Sequence, residues 1–99
     1  MLLNDQNIIN NDIRLANFAK VFRFPVRVAI IRAIVTHHNA ATWADLTAVP
    51  FPAETINQHI SRLKTLGLIQ TTGTKTNTRY YINQDLFAQM SNYFIGLLR

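Results

Sequence analysis

Apolar residues recur three and four positions apart over most of this chain, the period of a helix with one buried face. Between Asn11 and Phe22 they fall at Ile13, Leu15, Phe18, Val21 and Phe22, and Asn11 or Asp12 can cap the start of that helix. Pro25 sits where a second helix should begin, a position whose N–H has no intrahelical partner in any case. Val28, Ile31, Ile34 and Val35 form its expected stripe, with Arg27 and Arg32 outside it, and Thr36-His37-His38-Asn39 ends it. β-Branched residues are mediocre helix formers, so the period rather than propensity carries this helix. Thr42 can cap a short third helix through Val49, with Trp43 and Leu46 as core anchors. Pro50-Phe51-Pro52 interrupts it, because each proline restricts itself and the residue before it. A fourth helix is expected over 52–66, with Ile56, Ile60 and Leu63 buried and Gly67 as its left-handed C′ residue.

Beyond Gly67 the pattern changes. Leu68–Thr72 and Arg79–Ile82 are β-prone runs separated by Gly73-Thr74-Lys75-Thr76-Asn77, which predicts a hairpin with a polar, partly basic tip. Asn83 caps a last helix, 83–99, on which Phe87, Met90, Phe94 and Leu98 make one stripe that Leu86, Tyr93 and Leu97 widen. A terminal helix this apolar must pack on its own core or on a second subunit. Residues 1–10 are expected to form a loosely ordered arm, and 1–99 a single domain.

Two short helices separated by a tight turn and followed by a basic hairpin predict a winged helix-turn-helix. The fold class is mainly α with a small β-hairpin wing, about five helices plus two strands. In that arrangement the 52–66 helix enters a DNA major groove and the 70–80 wing follows the backbone. The apolar stripe faces inward and leaves Thr55, Asn57, Gln58, Ser61 and Arg62 toward solvent or groove.

Charge strengthens this picture. The chain carries ten Lys/Arg against five Asp/Glu, a net +5. The excess sits in two blocks, Lys20, Arg23, Arg27, Arg32 and Arg62, Lys64, Lys75, Arg79. Clustered basic charge attracts polyanions. With 48% apolar and 15% charged residues the chain is not intrinsically disordered. It has no cysteine, which removes disulfides, thiolate metal sites and thiol nucleophiles and agrees with a reducing cytoplasm. The N-terminal Met-Leu-Leu-Asn-Asp-Gln does not read as a signal peptide, and no run reaches the ~18–20 apolar residues of a membrane span. Three histidines, five acids and three scattered glycines show no triad, carboxylate pair or phosphate loop, so no enzyme, cofactor or metal is expected.

The sequence resembles a family at three places. Phe24-Pro25-Val26-Arg27-Val28-Ala29-Ile30-Ile31-Arg32-Ala33-Ile34 is similar to the proline-started second helix of the ArsR/SmtB group of bacterial winged-helix regulators. The run from Thr55 to Ile69 resembles that group's recognition helix and its exit, and Arg79-Tyr80-Tyr81-Ile82 its second wing strand. The resemblance implies a homodimeric transcriptional regulator, usually a repressor, with the first and last helices at the dimer interface. Many relatives sense metals through cysteines on the third helix, where this chain has Thr42 and Ala44. Others use Asp and His on the last helix, which here has Asp85 and no histidine. Metal sensing therefore does not transfer, and an effector is left unspecified.

Residue roles follow. Asn57 and Gln58 suit adenine edges. Lys75, Thr76, Arg79 and Arg62 suit phosphates, together with a backbone donor at Thr42. Three or four such contacts per subunit give six to eight per dimer, hence a slope of log affinity on log salt near about −5 to −7. Leu15, Phe18, Phe22, Phe87, Met90, Phe94, Leu97 and Leu98 are the expected dimer seam, being more apolar surface than a small monomer covers. His59 reads as a half-buried packing histidine, and His37-His38 as donors to helix-end carbonyls. Glu54 complements its helix dipole but would repel phosphate, which keeps open the alternative of a winged-helix protein-binding module.

Overall fold

The computed structural model describes residues 5–99. Among them are α1 (Asp5–Val21), α2 (Pro25–Thr36), α3 (Trp43–Thr47), α4 (Ala53–Thr65), β1 (Ile69–Thr74), β2 (Asn77–Ile82) and α5 (Gln84–Leu97). The chain is mainly helical with one two-stranded antiparallel hairpin, the class that the hydrophobic pattern predicts. No helix of the described residues is long and apolar enough to cross a membrane.

The core lies where α2, α3, α4 and β1 meet. Ile30, Ile34, Leu46, Ile56, Leu63 and Ile69 are almost fully buried there. Each such side chain contributes about 1.5–3 kcal/mol of burial relative to exposure. The α4 stripe is the expected one, Ile56, Ile60 and Leu63. The α2 stripe is so only in part: Ile34 is buried and Ile31 packs against the core, as expected. Val26, Ile30 and Ile34 are buried, whereas Val28 and Val35 are exposed. Apolar residues occupy nearly every side of α2, so its period leaves the inward face undecided, and packing on α4 and α3 selects it.

Local signals set the element ends. Leu68 donates to the Leu63 carbonyl (2.9 Å) and Gly67 to that of Lys64 (3.0 Å), with Gly67 at φ +79°. That is a Schellman end, and Leu63 and Leu68 supply its buried apolar pair. Asn83 caps α5 by accepting from Leu86 N (3.2 Å) and donates its amide to Gly67 O (3.1 Å), fastening α5 to the exit of α4.

Three boundaries differ from expectation. Helix α1 begins at Asp5, so residues 5–10 are helical rather than a loose arm, and residues 1–4 of that arm lie outside the described residues. Helix α3 stops at Thr47, where Thr47 Oγ1 turns back to the Trp43 carbonyl (3.1 Å). The hairpin tip narrows to Lys75-Thr76, because Gly73 pairs with Thr78 and Thr74 with Asn77. Gly73 makes the tight tip possible with φ +95°, and a Cβ there would collide with the Asn77 carbonyl.

Helices α1 and α5 pack on each other beside this core. Phe18, Phe22 and Phe87 meet edge to face, with centroids 5.2, 5.2 and 6.1 Å apart. Arg14 bridges the same helices, donating to Tyr93 Oη (3.0 Å) and Gln89 Oε1 (2.8 Å). The molecule measures 55 × 24 × 22 Å, and its radius of gyration is 15.6 Å. A compact chain of this length has about 13 Å.

Candidate nucleic-acid interface

Helices α3 and α4 are joined by residues 48–52. Phe51 N donates to Val49 O (2.8 Å), and Pro52 O accepts the first α4 bond from Ile56 N (3.0 Å). Pro52 offers no side-chain cap, and Glu54 in the first turn complements the helix dipole instead. With Ile56, Ile60 and Leu63 anchored inward, Asn57, Gln58, Ser61 and Arg62 are exposed on the outer side. Thr55, two turns before Arg62 on the same side, is half-buried. Glu54 lies one turn before Gln58, on the same exposed face.

Thr42 and Asp45 form a capping box. Asp45 N donates to Thr42 Oγ1 (3.1 Å), and Thr42 N donates to Asp45 Oδ2 (2.8 Å). The Thr42 backbone donor is therefore taken inside the protein, which corrects its expected role as a phosphate contact. The Thr42 backbone bond is the main reason the Asp45 carboxyl sits below the usual range; His37 and Arg79 add to it and partial burial opposes it. His37 lies 3.4 Å from Asp45 through Nε2, while its Nδ1 is 2.8 Å from the Ala33 carbonyl at the end of α2.

The hairpin is braced by a contact the sequence did not suggest. Ala41 and Tyr80 exchange backbone bonds of 2.9 and 2.8 Å, which adds a one-residue third strand to the hairpin. Asn39, at φ +56°, accepts from Ile82 N (2.7 Å) and positions that bridge. Trp43, expected as a core anchor, is instead 39% exposed. Its ring lies 6.5 Å from that of Tyr80, on one wall of a cleft of about 450 Å³ beside Lys75 and Thr76. Helix α3 ends after five residues, one turn and a half, so only Leu46 reaches the core. Lys75 and Thr76 are exposed at the tip. Arg79 stands on β2 rather than at the tip, its guanidinium 3.4 Å from Ala40 O.

His59 is half-buried, as its position beside Ile60 predicts. Its Nδ1 accepts from Arg27 Nε (3.0 Å), and its ring lies 5.3 Å from Phe24. Burial first, and the Arg27 charge second, lower its pKa, so the imidazole is neutral with its proton on Nε2. This Arg27–His59 pair spans 32 positions. The only sequence signal for it was the basic block that contains Arg27.

The expected dimer seam divides. Phe18, Phe22 and Phe87 pack against the chain's own core, and Met90 is 3% exposed, so these four pack within the chain itself. Phe94, Leu97 and Leu98 remain 56%, 60% and 74% exposed, and Ile9, Ile13 and Ile95 join them. Leu15 is half-buried in a groove of about 330 Å³ between α1 and α5 that Phe94 and Leu97 also line. Among the described residues no three acidic or histidine side chains gather as a metal site. No protein-family model, curated protein or solved structure matches this chain, and any functional reading rests on these side chains alone.

Proposed function

We propose that the chain is a cytoplasmic, homodimeric, sequence-specific DNA-binding regulator of transcription, a repressor. It would be a winged helix-turn-helix of the ArsR/SmtB kind without that group's metal ligands. One observation carries the reading. Helix α4 is held by its apolar face and presents Asn57, Gln58, Ser61 and Arg62 to solvent, beside a hairpin whose exposed turn is Lys75-Thr76. A helix held this way can enter the major groove, where Asn and Gln pair with adenine. Lys75, Arg62 and Arg79 then meet phosphates and set the register without reading sequence.

The exposed apolar row on the outer side of α1 and α5 suits a second copy of the chain. A two-fold pairing through it would set two α4 helices about 34–36 Å apart, so the operator should be an imperfect palindrome. Glu54, on the same face as Gln58, favours the second reading, a winged-helix module that binds protein.

The test is binding of a labelled duplex at low salt. Gln58→Ala should cost about 1–3 kcal/mol on the selected operator and relax base preference, while Lys75→Gln should weaken all duplexes alike. Absence of duplex binding by the wild type at low salt would leave the protein-binding reading in its place.

A further inference from the structure

A cleft of about 440 Å³ opens between the end of α1, the start of α2 and the flank of α4. Lys20, Arg23, Arg27 and Arg62 line it, four of the ten basic residues of the chain, and no acid does. None of the four forms an ion pair among the described residues. Arg23 and Arg27 both stack on Phe24, with guanidinium carbons 4.8 and 4.6 Å from its centroid. Arg27 is half-buried and held in place by His59 Nδ1 (3.0 Å) and the Val21 carbonyl (3.2 Å). Those bonds use two of its five N–H groups. Burial, then Arg62, then Arg23, disfavour its charge, and no acidic side chain among the lining residues compensates the four cations.

A second, shallower depression of about 240 Å³ adjoins it. Asn17, Val21 and Leu66 line both, and Phe18, Leu68, Leu86 and Met90 make the second mostly apolar, with Arg14 at its edge. A cationic cleft beside a mostly apolar depression is complementary to a molecule with an anionic head and an apolar body. We propose that this composite cleft binds a small amphipathic organic anion, a phosphate monoester with an aromatic or aliphatic body. Its head lies among Arg23, Arg27 and Arg62, and its body passes Leu66 toward Leu86.

DNA is the weaker candidate for the cleft. Arg62 and Leu66 lie on one flank of α4; Arg62 is about 140° around the helix from Asn57 though only about 40° from Gln58, so the cleft meets the edge of the outer face and not its middle. A sugar–phosphate strand also has nothing to fill the apolar depression. Arg62 belongs both to the cleft and to the outer face of α4, so occupancy should oppose duplex binding. That regulatory link rests on the DNA-binding reading; the binding site does not.

The experiment titrates the 99-residue chain with naphthyl phosphate, followed by calorimetry without DNA, with naphthol and inorganic phosphate as partial ligands. Saturable binding of one molecule per chain at ~1 mM or tighter is expected, and at least tenfold weaker binding of either partial ligand. Arg27→Gln and Arg23→Gln should each weaken it about tenfold, the loss of a charge-assisted contact, whereas Arg32→Gln, an equal charge loss elsewhere on α2, should not. The Arg23 side chain makes no internal hydrogen bond among the described residues, so its variant remains informative if Arg27→Gln loosens the fold. Adding the ester should then lower duplex affinity about fivefold or more. No saturable binding, inorganic phosphate binding as tightly as the ester, or equal effects of Arg23→Gln and Arg32→Gln would overturn the proposal. If the ester fails to bind while Arg23→Gln weakens duplex binding, the cleft is a DNA contact, and the DNA reading survives alone. If the ester binds and no duplex does, the site stands and the DNA reading falls.

Discussion

Replacing Lys75 by glutamine keeps the side chain's length and removes one charge from the exposed turn of the hairpin. Three basic side chains per protomer remain suited to phosphates once the Thr42 backbone donor is assigned to Asp45: Arg62, Lys75 and Arg79. Six contacts per dimer give a slope of log affinity on log salt of about −5.4, at about −0.9 per phosphate. This is shallower than most of the range the sequence suggested. Lys75→Gln removes two of the six and should bring the slope to about −3.6. Between about 50 and 200 mM salt, wild-type affinity should then fall about 1,800-fold and that of the variant about 150-fold. Anisotropy of a labelled duplex across that range measures both slopes. A monomer with three contacts would give about −2.7, so the wild-type value also reports on pairing. Equal slopes for wild type and variant would refute the placement of the wing on the backbone.

The dimer reading is tested by a pair of substitutions on α5. Phe94→Asp should leave a folded monomer by light scattering, whereas Met90→Asp should lose about 3–5 kcal/mol of stability through a buried unpaired charge. Asp45 titrates below its unfolded value of about 3.9, so its stabilisation is complete above that value and fades as pH falls through the lower folded pKa. The difference in urea midpoint between wild type and Asp45→Asn should therefore be present at neutral pH and shrink toward about pH 2; a difference unchanged by acid would contradict the assignment. Gly73→Ala should cost about 1–3 kcal/mol, since φ is positive there and the new methyl meets the Asn77 carbonyl; an unchanged denaturation midpoint would count against that geometry.

The order of elements was legible because its signals are local. A stripe at Ile56, Ile60 and Leu63, a glycine after Leu66, an asparagine before Gln84 and a proline at the start of α2 each act within a few residues of chain. The polar outer face of α4 followed by subtraction, once its inner face was known. What the tertiary structure alone decided involves partners far apart in sequence or a choice between equally apolar faces. Helix α2 could have buried Val28 and Val35 and instead buries Val26, Ile30 and Ile34, because α3 and α4 approach from that side. Phe18, Phe22, Phe87 and Met90 looked like an external seam, and their own helices cover them. The Ala41–Tyr80 bridge, the exposed Trp43, the capture of the Thr42 donor by Asp45 and the Arg27–His59 bond had no period to announce them. A period states which residues share a face; which face another element covers depends on packing across the whole chain, and only the folded arrangement fixes it.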